Sequence, residues 1–383
     1  MPRPRIDRLS AVLALPLLAA PALSAFGLRP NRIAQPQALG WAEAFGAPTA
    51  AALAAGTLLL VVALLLLRRP GLRMLLLAAA LAGLILMLGR GAAILLEQAA
   101  PAARVSPGLG FWLAAGVLVL LLVDAFARMQ PGPAPRAALL AATLAAVAAL
   151  LGSGVLADLS VAAEFRLRAA AFHKATADHL VLAFGSFLAA LAVGLPAGLA
   201  IQRHRALRAP VLNLLTLIQT IPSIALFGML IVPLAWIAAH VPAAAEAGIR
   251  GIGMAPALVA LFLYSLLPIV ANTVAGVDAV PPAVAEAAAG MGMTGAQRLR
   301  MVDLPLALPV ILAAARIVLV QNIGLATVGA LIGSGGYGTF IFQGIGQTAT
   351  DLILLGVLPT VALAFLTSAV LDLVIASFRM QPP

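Results

Sequence analysis

Ten apolar runs, separated by short polar or proline-glycine interruptions, set the plan of this chain. They fall at residues 9–28, 51–67, 72–89, 111–127 and 137–156, then at 180–201, 211–239, 255–277, 306–331 and 352–378. A helix rises 1.5 Å per residue, so about 20 apolar residues cross a hydrocarbon core of about 30 Å. The runs are rich in alanine and leucine, good helix formers, and show no period-two alternation. The predicted fold is all-α, a polytopic membrane protein of about ten transmembrane helices.

The interruptions carry the organisation. RRPGLR at 68–73 is too short to do more than turn the second run back as the third, which predicts a helical hairpin, and ARMQPGPAPRA at 127–137 is a turn by composition. The longest polar segment, 158–178, holds Glu164, Arg166, Arg168 and Lys174. A boundary is expected within it, between an N-terminal region at 1–160 with about five spans and a second region at 172–380 with five more. The first run follows the basic MPRPRIDR and reads either as a secretory signal cut near Ala25 or as an uncleaved span. Its length favours the span.

Composition narrows the class. Of 383 residues, 63% are hydrophobic and only 9% charged, too few charges to cover a water-soluble surface. The net charge of +10 does not indicate nucleic acid, because the arginines sit mainly in short loops between apolar runs. With no cysteine, disulfides, thiolate metal sites and cysteine nucleophiles are excluded.

Residues 282–305 form the one long polar stretch of the second region with a helical pattern of its own. Pro281 and Pro282 suit the first turn of a short helix through Gly290, and Gly292 breaks it. Thr294 and Gln297 stand at capping-box spacing for a second short helix, expected to end near Leu304-Pro305. The stretch matches the pattern EAA-x3-G-x9-[IV]-x-L-P at every fixed position: Glu286, Ala287, Ala288, Gly292, Val302, Leu304 and Pro305. It resembles the coupling loop of binding-protein-dependent ABC importer permeases. In that family the loop docks on a cytosolic ATPase subunit, which puts it on the cytosolic side here. Counting back through ten spans then places the N-terminus, and likewise the C-terminus, in the cytosol. Cytosolic segments hold fourteen arginines: Arg3, Arg5, Arg8, Arg68, Arg69, Arg73, Arg128, Arg136, Arg203, Arg205, Arg208, Arg298, Arg300 and Arg379. External segments hold eight basic residues, so the bias has the positive-inside sign.

Other constellations are sparser. LNLLTLIQTIPSIALFG at 212–228 places Gln219, Thr220 and Ser223 around Pro222 within one span. Polar groups in a bilayer need partners and a proline frees a carbonyl, so the helix is expected to break beside a cavity. Asn272, Thr273 and Asn322 are further candidates for a translocation path. Arg316, alone well inside a span, and Gly335 and Gly336 of GSGGYG are candidates for a gate. The glycine stretch is no nucleotide loop, since no lysine follows it. Asp124 ends a span, where a solvated charge is the ordinary expectation. The four histidines, expected in loops or at span ends, lack metal-ligand spacing, so neither a metal, a cofactor nor a catalytic constellation is expected.

IQTIPS, YSLLPIVANTVAGVD at 264–278 and IGLATVGALIGSGGYG at 323–338 are similar to the osmoprotectant branch of these permeases, which handles glycine betaine, choline and carnitine; that branch carries a basic residue where Ala271 stands. The extra N-terminal spans resemble the long, YehY-type glycine betaine permeases. The resemblance implies a methionine-importer-permease-like core in a bacterial inner membrane. It also implies pairing with a second permease subunit, identical or different, with cytosolic ATPase subunits and with an external substrate-binding protein. The chain itself is then a transport subunit and no enzyme. A permease for another small solute, such as methionine or a sulfonate, a secondary transporter, and a membrane scaffold remain as alternatives.

Overall fold

The structure is a computed structural model that describes residues 7–31 and 34–378. Arg3, Arg5, Arg32 and Arg379 of the charge count lie outside the described residues. The chain divides into two compact units, Met1–Leu167 and Arg168–Pro383. Among the described residues, nine helices are long and apolar enough to cross a membrane, one for each run from the second onward. The first run differs. It forms the shorter apolar helix Arg8–Ala22, which contains Pro16, and then turns into a strand.

In the first unit, α1 (Arg8–Ala19), α3 (Ala47–Leu66), α4 (Pro70–Glu97) and α5 (Leu109–Met129) pack around Leu17, Leu64, Leu77 and Leu121. The RRPGLR interruption turns α3 directly into α4, as its length demanded. α6 (Pro133–Gly152) buries none of its residues. A feature the sequence did not announce is a three-stranded antiparallel sheet, order β2-β1-β3, made of β1 (Phe26–Arg29), β2 (Gln37–Leu39) and β3 (Arg104–Pro107). Its strands are too short for alternation to show. Beside it lies the short α2 (Trp41–Phe45), whose Trp41 meets Phe26 edge-on at 5.2 Å between ring centroids. α7 (Ser160–Leu167) adds Glu164, bound to Arg104 at 2.9 Å.

At the start of α1, Asp7 receives Arg73 at 2.6 Å and Arg128 at 2.8 Å, while Arg73 also donates to the Ser10 hydroxyl. Burial alone would raise the Asp7 carboxyl. The hydrogen bonds from Arg73, Ser10 and Arg128 outweigh it and hold the group well below the usual carboxylate range. Asp124 joins this network through Arg128 at 2.8 Å, so it is ion-paired where the sequence suggested a merely solvated charge.

The second unit is a bundle around α13 (Met254–Asp278), which buries twelve of its 25 residues. α8 (Ala169–Leu180) runs through a π turn into α9 (Ser186–Arg203), forming one long helix. α9 presents Gly194 and Gly198 to Ile269 and Thr273 of α13. A Cβ on Gly198 would lie 2.6 Å from that of Thr273, so only glycine permits this approach. α16 (Leu304–Gly329) closes the bundle's other side, and α17 (Gly338–Gly346) and α18 (Thr350–Phe378) lie against it. The run 211–239 is not one helix. It is split into α10 (Arg205–Thr220) and α11 (Ser223–His240), with Ile221 and Pro222 between them and the short α12 (Pro242–Glu246) after them.

Candidate functional site

Two features of the second unit carry chemistry that a transport subunit would use. The first is the loop between α13 and α16. α14 (Pro282–Gly290) ends at Gly292, whose φ of +78° lies in the left-handed region where a side chain would be strained. Thr294 then caps α15 (Gly295–Arg298). Its hydroxyl accepts the Gln297 backbone N–H at 3.3 Å, while the Gln297 side-chain oxygen accepts the Thr294 N–H at 2.8 Å. The expected capping box is present.

The second arm does not end at Leu304-Pro305, however. It passes through a π turn, Leu299–Asp303, into α16, giving one helix over Gly295–Ile332. Pro305 offers no N–H, and near a helix start that loss is tolerated. Arg298 and the buried Asp303 pair across the turn at 3.2 Å. Glu286 and Ala287 are exposed, as are Val284, Met291 and Met301, whereas Ala288 is buried beneath them. The loop therefore offers a helical arm with one carboxylate and exposed apolar side chains, set on a helical extension of α16.

The second feature is a cleft of about 330 Å³ at the break between α10 and α11. Gln219, Thr220, Pro222 and Ser223 line it together, as the proline and its polar neighbours suggested. Ile221, Tyr264, Gln321 and Leu325 complete the lining. Pro268 explains the place of Tyr264. Lacking an N–H, it leaves the carbonyl four residues back without its helical donor, and that carbonyl belongs to Tyr264. The Gln219 side-chain amide donates to it at 2.9 Å. The Tyr264 hydroxyl in turn donates to the carbonyl of Ile221, in the break itself. No charged side chain lines the cleft.

The remaining candidates lie elsewhere. Asn322 is fully buried, and its amide donates to Ser186 and Ser265, both at 2.9 Å, tying α16 to α9 and α13. Its neighbour Gln321, one helical step round, is the one that reaches the cleft. Thr273 is fully buried against Gly198 with its hydroxyl turned back to the Ile269 carbonyl, and Asn272 bonds the Pro268 carbonyl at 2.8 Å. Asn322 and Thr273 hold helices together, Asn272 bonds back within α13, and none of the three lines the cleft. Arg316 is paired with Asp372, bridging α16 and α18. Gly335 and Gly336, at φ of +80° and +77°, let their loop sit on Asp178 and His179 of α8. His179 itself is fully buried, its ring 4.6 Å from that of Tyr337, and not in a loop.

Two family models and several known proteins match parts of this chain. Residues 7–162 match the family model described as the N-terminal domain of the ABC transporter permease YehY. The osmoprotectant import permease protein OsmW of Salmonella typhimurium is 44% identical over 189 residues, 49% of this chain and 83% of that one. The glycine betaine/carnitine/choline transport system permease protein OpuCD of Bacillus subtilis is 38% identical over 194 residues, 50% of this chain and 78% of that one. Among solved structures, an inward-facing conformation of the MetNI methionine ABC transporter aligns at 23% identity with a TM-score of 0.47, over 55% of this chain and 96% of that chain. Residues 181–379, which include the loop and the cleft, match the model of the binding-protein-dependent transport system inner membrane component, and the chain belongs to that family of ABC permease subunits.

Proposed function

We propose that this chain forms the translocation pathway of an ATP-driven importer for osmoprotectants such as glycine betaine, choline or carnitine. It would sit in a bacterial inner membrane with both termini cytosolic, which requires the shorter α1 to cross as a tenth span beside the nine longer helices. The relatives' named solutes and the motifs around Gln219–Ser223 and Tyr264–Asp278 support the substrate class. One observation carries the mechanism: the loop's second arm and the wall of the cleft are the same helix. Leu304, at the loop, and Gln321, in the cleft, lie 17 residues apart on α16, about 26 Å of helix.

The cycle follows from that lever. Glu286 and the exposed apolar side chains around it dock on a separate cytosolic ATPase subunit. When ATP draws two such subunits together, each pushes its loop, and α16 carries the displacement to Gln321 and Leu325. The cleft then changes its opening from one side of the membrane to the other. A second permease subunit completes the pathway, and an external binding protein delivers the solute. Because the lining is polar but uncharged, it passes a cationic or zwitterionic solute along without trapping it.

A host lacking its own osmoprotectant uptake tests this reading. Supplied with this chain, its ATPase and its binding protein, it should grow at high salt when glycine betaine is added, and the ATPase should co-purify with this chain. Absence of any bound ATPase would instead point to a secondary transporter.

A further inference from the structure

We propose that Gln219 and Tyr264 are the latch of a gate in this pathway, and that the mobile part is the elbow formed by α10 and α11. The inference rests on the importer reading above and adds which segment moves and what restrains it. Burial separates the moving part from the fixed one. α10 buries one residue of sixteen, Leu215, and α11 two of eighteen, Leu226 and Phe227. α13 buries twelve of 25 and is pinned to α9 and α16 through the Ser186–Asn322–Ser265 knot. Ser265 follows Tyr264 directly, so the residue that accepts the elbow is anchored from behind. Segments with few buried contacts move at least cost, and among the helices that line the cleft that segment is the elbow.

The restraint is of an exchangeable kind. Neither latch bond belongs to a helix ladder: one goes to the carbonyl that Pro268 releases, the other to the carbonyl of Ile221 between two helices. Breaking them unwinds nothing. Both donors face a cleft that opens to solvent or solute, which can take over the freed carbonyls. The two bonds also cross in opposite directions between the same pair of segments. Separation of the elbow from α13 must break both. Gln321 and Leu325 of α16 share the cleft wall, so a push arriving along α16 reaches the latch directly.

The test uses conservative variants in the complete system, reconstituted in proteoliposomes with the ATPase and the binding protein. Gln219→Glu keeps size and polarity but replaces the donating amide by a carboxylate. Tyr264→Phe keeps the ring and loses the hydroxyl. Each should raise ATP hydrolysis in the absence of binding protein by roughly fivefold, the factor expected for one lost hydrogen bond, and lower the solute imported per ATP. The chain has no cysteine, so Ser223→Cys supplies a single reporter in the cleft. Its labelling by a water-soluble maleimide should quicken by a similar factor in both variants. Unchanged labelling and coupling in both variants would overturn the gate. So would a parallel fall of uptake and hydrolysis at constant ratio, which is what a purely structural role produces. Wild-type vesicles that import no solute would count against the functional reading, while the labelling comparison still decides the gate.

Discussion

Gln219 and Tyr264 each supply what a proline or a chain break takes from the other's helix. The Gln219 amide donates to the Tyr264 carbonyl at 2.9 Å, and the Tyr264 hydroxyl donates to the Ile221 carbonyl. An unpaired backbone carbonyl in a bilayer is costly, so in this conformation each break takes its donor from the other segment. Pro268→Ala tests the dependence. Restoring the N–H returns the Tyr264 carbonyl to α13 and leaves Gln219 without its acceptor. Uptake should fall while the thermal stability of the purified subunit holds or rises. A fall in both would mean that Pro268 matters only for packing.

The coupling loop should be needed for transport and not for insertion. Glu286→Lys reverses the sole carboxylate of the exposed α14 arm. Gly292→Asp places a side chain at φ +78°, a strain of about 1 kcal/mol or more. Both should abolish uptake at normal membrane levels, as read by immunoblot of the membrane fraction. Thr294→Ala removes one half of the capping box and should cost about 1 kcal/mol of local stability, giving a partial loss.

Asn322 should prove structural. Asn322→Leu leaves Ser186 and Ser265 without their shared partner and should cost about 1–2 kcal/mol in a bilayer. The melting temperature of the subunit should drop, with the order of preferred solutes unchanged. A change in that order would return Asn322 to the pathway.

The Asp7 network carries a pH dependence of determinate sign. Its carboxyl is held below the ordinary aspartate value of about 4, so the stability it contributes is fully present above that value and is lost as pH falls below it. Thermal melting should be flat from neutral pH to about 5 and decline below about 4. Asp7→Asn should lower stability at neutral pH by about 3 kcal/mol, because Arg73 is left buried without its carboxylate, and should weaken the acid dependence.

The N-terminal unit should be separable. A truncation should begin at Arg168 rather than inside α7, because Glu164 is tied to Arg104 of the first unit. The remaining 168–383 should insert and bind the ATPase. Loss of all ATPase association by an inserted, folded truncation would contradict this.

What the sequence revealed depended on the range of the interaction behind each feature. Spans, the hairpin at 68–73, the capping box at Thr294 and the break at Pro222 are fixed within a few residues, and each was legible. The position of the first apolar run was less so, because its C-terminal end is drawn into a sheet by Arg104–Pro107, some 75 residues on. Among path candidates, polarity alone did not separate Gln321 from Asn322 or Gln219 from Thr273. Which side of a helix faces a cleft is set by packing against other helices. Tyr264 does carry a local signal: it stands four residues before Pro268, so its carbonyl must find a donor outside its own helix.

Uptake into proteoliposomes carrying this chain, its ATPase and its binding protein tests the central proposal most directly. Labelled glycine betaine should accumulate only with internal hydrolysable ATP, should be displaced by excess choline or carnitine but not by methionine, and should vanish with Glu286→Lys. Accumulation of methionine or a sulfonate, indifferent to excess glycine betaine, choline and carnitine, would contradict the osmoprotectant assignment.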